Sequence, residues 1–499
     1  MILYFFTLPF PFLFLKIFFD FYTKFNPMKK FILFCVLASV VLAGCNSRSA
    51  KKTAPSHDEM MSKASRSEKN GWIVVHLEGS PYEIGYQHGY LLADEIIDLR
   101  KAFEVINKQA TGKDGEFFRE ESYRLLWSRV PEEYRQEIGG IAAGVNAKLG
   151  SETIDIKDIV AMNSSIEMAG YYVPWLEEQE KPMPPEHCSA FAATGSWTAG
   201  HKIVMAHNNW SEYAIGQRWN VILDIVPEQG HRMVMDALPG YIHSGDDFNI
   251  NSAGLIVTET TISAFKGFDT TGVAEFVRAR KSVQYASTID EWAAIMIEGN
   301  NGGYANAWLI GDNKTGEIAR LELGLKNHFL ERTTDGVFTG ANYPVNEKIL
   351  TEETTFDPTD KNASPNMRKL RWEELMRRHK GKIDVETAKL FMADHYDMNR
   401  NRENAGRFSL CGHIDLDSIG KNEISWDGAY FHAGAVQAKA TDSQLADGLQ
   451  FWAKMGHTCG MSFSAKAFID AHPEYAFEKE VLKDMPAQDW MLTERITKK

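Results

Sequence analysis

The sequence predicts an α+β fold, a helical N-terminal part followed by a region of antiparallel sheet. From Cys188 onward, short apolar runs alternate with tight Gly and Asn turns, the pattern of antiparallel hairpins. Before residue 176, apolar residues recur at helical spacing. The 499 residues are 44% hydrophobic, 12% aromatic and 24% charged, a globular composition that excludes disorder and collagen-like repeats. The length allows ~2–4 domains of ordinary size.

The elements follow in order. Residues 72–78 (WIVVHLE) read as a strand. The turn Gly79-Ser80-Pro81 opens a helix over 81–110, with Gly85 and Gly89 on one face suited to close helix packing. Helical patterns continue through 117–149 and 155–170. Residues 176–187 (LEEQEKPMPPEH) are acidic and proline-rich and predict an exposed loop. Then come strands at CSAFAAT, KIVMAHN, WNVILDIV, HRMVMDAL, DDFNI and LIVTETTI, joined by turns. A helix over 271–298, with a break near 287–290, precedes the pair YANAWLIGD and EIARLEL. HFLERTTDGVFTGANY predicts a further hairpin, and the C-terminal remainder reads as helices and loops with a strand-like stretch near 430–440.

The net charge is −13 and no basic run is present, which argues against nucleic acid as a partner. Residues 1–27 are apolar and aromatic, but Lys16, Asp20, Lys24, Pro9 and Pro11 interrupt them, so a clean membrane span is not expected there. Met28 opens a second pattern: two lysines, the apolar run FILFCVLASVVLA, then Gly44 and Cys45, which reads as a secretory signal. Leu42-Ala43-Gly44-Cys45 resembles a bacterial lipobox, in which Cys45 is lipidated and becomes the mature N-terminus. A plain signal peptide or an apolar anchor is the alternative. The expected organisation is a signal region over 1–44 (with Met28 as the start), a flexible polar tether over 45–70, a helical segment over 71–187 and a catalytic segment over 188–499. The expected location is the cell envelope, held to the membrane by the lipid anchor.

Of five cysteines, Cys35 leaves with the signal and Cys45 is lipidated. The simplest partition of the remaining three, in an oxidising compartment, pairs Cys411 with Cys459 and leaves Cys188 as a thiol; the alternative is three inert thiols. The chain has no HExxH and no GxSxG, and Gly311–Glu317 lacks the GK[ST] ending of a P-loop. No Cys/His group has zinc spacing, so neither a metal nor a cofactor is expected. What remains is Cys188, at the head of a strand and directly after the predicted loop. That is the layout of an N-terminal nucleophile: the chain is cut between His187 and Cys188, the two pieces stay associated, and the freed α-amine serves as base for its own side chain. The alternative is a structural thiol.

The segment His187–Tyr213 (HCSAFAATGSWTAGHKIVMAHNNWSEY) resembles the nucleophile region of the phospholipase B-like family. Further motifs follow the family's order: Leu238-Pro239-Gly240-Tyr241, Asp246-Asp247-Phe248, Glu259-Thr260-Thr261, Asn342-Tyr343-Pro344 and Gly434–Lys439. The upstream Gly79–Gly89 segment is similar to that of penicillin acyltransferase-like autoproteolytic proteins. The resemblance implies an αββα sandwich with Cys188 as nucleophile. His207, on the returning strand of the first hairpin, would orient the amine or the attacked carbonyl. Asn208 and Trp210 would bracket the pocket, Thr260 and Thr261 would face the nucleophile, and Asn342 would donate to the oxyanion. Arg368, or Arg371, would hold the amine or a substrate headgroup. Asn306 begins Asn306-Ala307-Trp308, where the family has Asn-Gln-Trp.

The implied activity is hydrolysis of acyl groups from lipids through an acyl-thioester, with an acyl-containing small molecule or lipid as substrate. An amidase or acyltransferase acting on N-acyl amino acids, bile-salt-like conjugates or peptides is the second reading. A non-catalytic envelope binding lipoprotein is the third.

Overall fold

The structure, a computed structural model, describes residues 55–177, 188–246, 248–420, 426 and 428–495. Residues from His57 onward form one unit. It is an α+β fold built on two sheets. The larger has nine strands in the order Ser65–Lys69, Trp72–Gly79, Val221–Pro227, Met233–Ala237, Asn249–Asn251, Leu255–Thr261, Asn306–Asp312, Glu317–Leu323 and His328–Thr333. The smaller has six: Gly336–Gly340, Ser189–Thr194, Val204–Glu212, Ala433–Asp442, Trp452–Met455 and Met491–Leu492. Neighbours pair antiparallel except Trp72–Gly79 and Val221–Pro227, which run parallel.

Alternation along the strands decides what each face covers. Ala190, Ala192 and Met205 of the smaller sheet share one apolar cluster with Ile222, Val234, Ile256, Leu309 and Ile318 of the larger. Residues one position away point elsewhere. Phe191, Ala193, Val204 and Ala206 pack with Trp372, Leu375 and Phe391 of helices Ser364–His379 and Val385–Met392. Leu255, Val257, Trp308 and Ile310 pack with Trp292 and Met296 of helix Ile289–Ile297. Val75, Leu77, Leu223 and Met235 lie against the N-terminal helices. Each Val, Leu, Ile, Phe or Met among them, fully buried, contributes about 1.5–3 kcal/mol.

The glycine face predicted in the first long helix is used as a contact. Helix Pro81–Leu91 starts in a capping box between Ser80 and Glu83, with Pro81 at its first position. It lies so close to helix Glu132–Leu149 that a Cβ on Gly85 would sit 1.9 Å from the Glu137 carbonyl oxygen. A Cβ on Gly89 would sit 2.0 Å from that of Ile141, and one on Gly144 2.2 Å from that of Tyr86.

Three expectations are corrected. The helix over 81–110 is two, Pro81–Leu91 and Ala93–Thr111, because Leu92 leaves helical geometry. The stretch 328–343 is not a hairpin. His328–Thr333 closes one edge of the larger sheet, and Gly336–Gly340 pairs with Ser189–Thr194 in the smaller, so the chain crosses between sheets at Thr334 and Asp335. The tether over 45–70 ends early: His57–Met61 is helical, and Ser65–Lys69 is an edge strand paired with Trp72–Gly79. Cys45, His187 and the signal region lie outside the described residues.

Candidate active site

Cys188 precedes strand Ser189–Thr194, and the hairpin with Val204–Glu212 sets Ala190 opposite His207 and Ser189 opposite Asn208. This register puts His207 beside the cysteine. Leu255–Thr261 of the other sheet adds Glu259. A Glu259 carboxylate oxygen, a His207 ring nitrogen and the Cys188 sulfur all lie within 4.8 Å of one another, and all three residues are buried. Tyr304 donates its hydroxyl to Glu259 Oε1 at 2.8 Å.

One arginine ties the site together. Arg368, fully buried on helix Ser364–His379, donates through Nη1 to the Cys188 carbonyl oxygen at 2.6 Å and to Ser189 Oγ at 3.1 Å. Its Nη2 donates to Asn342 Oδ1 at 2.9 Å, and its guanidinium stacks 4.7 Å from the Trp210 ring. Burial pulls the guanidinium down to about 9, which keeps it cationic at neutral pH. Because Asn342 Oδ1 accepts from Arg368, its amide nitrogen points the other way and donates to the Thr261 carbonyl at 2.9 Å. Asn342 has φ of 68°, a left-handed conformation that asparagine tolerates better than most residues.

His207 is neutral. Burial lowers its pKa to about 3, and the nearby Lys439 charge acts in the same direction. Neither ring nitrogen has a hydrogen-bond partner among the described residues, and Nδ1 lies 3.6 Å from Asp246 Oδ2. Asp246 belongs to a buried group with Asp236, Lys439, Gln437 and Ser244. Lys439 Nζ donates to Asp236 at 2.9 Å and also to Asp246, while Gln437 bonds both carboxylates. Ser244 Oγ reaches both as well, and its single proton can serve only one of them. Burial and the Asp246 charge push Asp236 up. Against its own burial, Asp246 is held down chiefly by Lys439. The group thus carries one carboxylate, one carboxylic acid and one ammonium, with the carboxylate next to His207.

The other expected residues divide. Thr260 and Thr261 are buried, and their hydroxyls have no partner among the described residues; Asn306, directly across from Thr261, is the same at both side-chain polar atoms. Buried polar groups of this kind take their hydrogen bonds from water or a ligand. Asn208 and Trp210 do not line the apolar cleft beside the site. Asn208 Nδ2 donates to the carbonyls of Met392 and Leu410, and Trp210 Nε1 to that of Leu410, so both pin the 392–412 segment to the back of the strand. Arg371 is engaged by Asp394 and Glu374, which leaves Arg368 as the arginine of the site. Glu259, Asp246 and Lys439 were not assigned from sequence. The signal for Lys439 was a charge inside the apolar stretch Ala433–Asp442, which the structure buries throughout.

An apolar cleft of about 100 Å³ adjoins the site, lined by Phe103, Ile106, Ile215, Ile262, Phe265 and Tyr304 among others. Tyr304 and Thr261 belong to both: the Tyr304 hydroxyl meets Glu259, and Thr261 accepts from Asn342.

A family model described as phospholipase B matches residues 92–326, the stretch that holds Cys188, His207 and Glu259. Over that stretch the chain is similar to the phospholipase B-like family. A putative phospholipase B-like 1 of Caenorhabditis elegans is 25% identical, over 88% of this chain and 82% of its own. Human phospholipase B-like 1 is 29% identical over 30% of this chain and 27% of its own. An uncharacterized protein of Archaeoglobus fulgidus is 27% identical over 49% and 42% respectively, and mouse putative phospholipase B-like 2 is 30% identical over 28% and 27%. The chain therefore spans less than half the length of these last three relatives. The similarity to these relatives is the support for the hydrolase proposed below. Asn342 and Arg368 lie beyond the matched stretch, and their place in the site rests on the geometry.

Linear spacing shows no zinc ligand set, but the fold brings ligand-type side chains together in two groups. Cys188, His207 and Glu259 are one set of ligand-type side chains, and His395, Cys411, His413 and Cys459 are another. The expected partners Cys411 and Cys459 do meet there, yet both are free thiols rather than a disulfide, with a histidine nitrogen close to each sulfur.

Proposed function

We propose that the chain is a cysteine N-terminal-nucleophile acyl hydrolase, activated by its own cleavage at His187-Cys188, that releases fatty acyl groups from lipids. The meeting of Cys188, His207 and Glu259 beside an apolar cleft carries this reading. The layering of helices, two face-to-face sheets and helices supports the αββα sandwich of that superfamily.

In the uncut chain the Cys188 thiol attacks the carbonyl carbon of residue 187. The C–N bond breaks, and water then resolves the resulting thioester. The α-amine so freed takes the thiol proton, the thiolate attacks the substrate carbonyl, and the leaving group departs with a proton from the ammonium. Water hydrolyses the acyl-thioester and regenerates the thiol. Arg368 fixes the backbone at Cys188 through its carbonyl oxygen, so the amine and sulfur stay in one place. Asn342, oriented by Arg368 and by its bond to the Thr261 carbonyl, is the proposed oxyanion donor, a role in which its amide would turn from Thr261 to the substrate. A His207 held neutral to about pH 3 is a weak base, which supports the amine in that role.

Strand Trp72–Gly79 pairs with Val221–Pro227, a pairing that would keep the two cut chains associated. The proposed location is the cell envelope, on a lipid carried by Cys45. No helix among the described residues is long and apolar enough to cross a membrane.

A denaturing gel with intact mass of each band tests the maturation: chains of 45–187 and 188–499 are expected, and an uncut 187–188 bond in active protein overturns it. Turnover of a phospholipid, an N-acyl amino acid and a conjugated bile salt, measured side by side, tests the substrate. Hydrolysis confined to the amides would replace the lipid reading with an amidase.

A further inference from the structure

The residues behind the nucleophile strand carry chemistry that acyl transfer does not use. His395, Cys411, His413 and Cys459 each offer one ligand atom, and the four atoms lie within 4.8 Å of one another. His413 Nε2 is 3.6 Å from Cys411 Sγ and 3.4 Å from Cys459 Sγ. Zinc bonded to sulfur at about 2.3 Å and to nitrogen at about 2.0–2.1 Å, with tetrahedral angles, sets sulfur and nitrogen about 3.6 Å apart. The two observed distances match edges of such a tetrahedron. His395 completes the set: its Nε2 is buried and has no hydrogen-bond partner among the described residues.

We infer that these four residues form a Cys2His2 site for zinc, structural rather than catalytic. Two thiolates and two neutral imidazoles balance the charge of a divalent ion, so the assembly carries no net charge into a mostly buried place. Four protein ligands leave no open position for water or substrate. Surrounding contacts have the character of a supporting shell: the Met461 amide donates to Cys459 Sγ at 3.4 Å, and the Cys411 amide donates to the Asp394 carbonyl, next to His395, at 3.0 Å. The site clips the 395–413 segment to the turn at Cys459. Both pieces also hold Asn208, through the Leu410 carbonyl before Cys411 and the Thr458 hydroxyl before Cys459. Asn208 is the neighbour of His207, so the ion would brace the strand that carries the candidate catalytic residues from its far side.

The ligands come from three separate places in the chain, His395, the Cys411-Gly412-His413 triplet and Cys459, a spacing unlike that of paired zinc motifs.

The test uses the full mature chain, purified under reducing conditions. Elemental analysis is expected to find one zinc per chain. After chelation, zinc alone should rebind one equivalent, and cobalt in its place should give the thiolate charge-transfer and intense d–d bands of tetrahedral sulfur ligation. His413→Gln and Cys459→Ser should each weaken zinc binding by at least about tenfold, since even supporting-shell losses cost 10–100-fold. His395→Gln, at a partly exposed position, gives the same readout with less risk to folding. Zinc bound no more tightly by the wild type than by the Cys411→Ser/Cys459→Ser double variant overturns the site. So does a Cys411–Cys459 disulfide in protein isolated without reductant that persists when zinc is supplied during folding.

Discussion

Arg368 donates to the carbonyl oxygen of Cys188 at 2.6 Å from a helix far along the chain, and the same guanidinium reaches Asn342. The proposed nucleophile and the proposed oxyanion donor are thereby set by one rigid, planar group. A lysine at 368 could not span both, and one buried acceptor would lose its partner at about 1–3 kcal/mol.

Cys188→Ala should remain a single chain with no acyl hydrolase activity, and Cys188→Ser should be cut slowly, because a hydroxyl is the poorer nucleophile at neutral pH. Intact mass over time reads both. A cut Cys188→Ala would remove the cysteine from the maturation step.

Asn342→Ala should lower kcat by roughly 10²–10³ with little change in KM, the signature of an interaction made in the transition state. The left-handed backbone at this position adds a folding cost for alanine that glycine avoids. Asn342→Gly is therefore the companion variant. A full recovery of kcat in the glycine variant would assign the loss to backbone strain.

The buried histidines should each make stability fall with acid. Burial lowers His88, His207 and His243 to about 3, far below the unfolded value near 6.5. Between those limits the unfolded chain binds the extra protons, so stability is present above about pH 6.5 and is lost as pH falls toward 3. Each histidine contributes a slope of up to about 1.4 kcal/mol per pH unit. Buried carboxyls that are raised, Asp236 to about 8 and Glu212 to about 7 foremost, contribute slopes of opposite sign in the same range, so the histidine share is read from the difference between variant and wild type. Urea denaturation at a series of pH values measures the sum, and His88→Gln should reduce the slope by about one proton.

Gly85→Ala should destabilise despite alanine's better helix propensity. The new methyl would meet the Glu137 carbonyl at 1.9 Å, and overpacking of this kind costs about 1–3 kcal/mol. Gly139→Ala, on the facing helix but with nothing within 4 Å, is the control and should be neutral or stabilising. Chemical denaturation of the pair separates packing from propensity.

Local signals in the sequence found most of the strands, since Gly and Asn turns between apolar runs are written within a few residues. They failed where a distant partner decides. The turn Thr334-Asp335-Gly336 has hairpin chemistry, yet Gly336–Gly340 finds its partner in Ser189–Thr194, and no local pattern records that. The same limit applies at the site. Cys188 and His207 share a hairpin and were legible together, whereas Glu259 comes from the other sheet and looked like an ordinary strand residue. Asn208 and Trp210 were found by motif, but their roles were not, because their bonds run to Met392 and Leu410.

Strand Trp72–Gly79 lies inside the larger sheet, between Ser65–Lys69 and Val221–Pro227. A polypeptide severed at residue 188 would keep that strand by hydrogen bonds and packing alone. Its native form would then be a heterodimer whose reassembly after denaturation is second order in protein, while the unsevered precursor refolds as a single body. Heat inactivation of the mature form would be dilution-dependent and close to one-way, and its survival would be set by how slowly it opens rather than by how readily it re-forms.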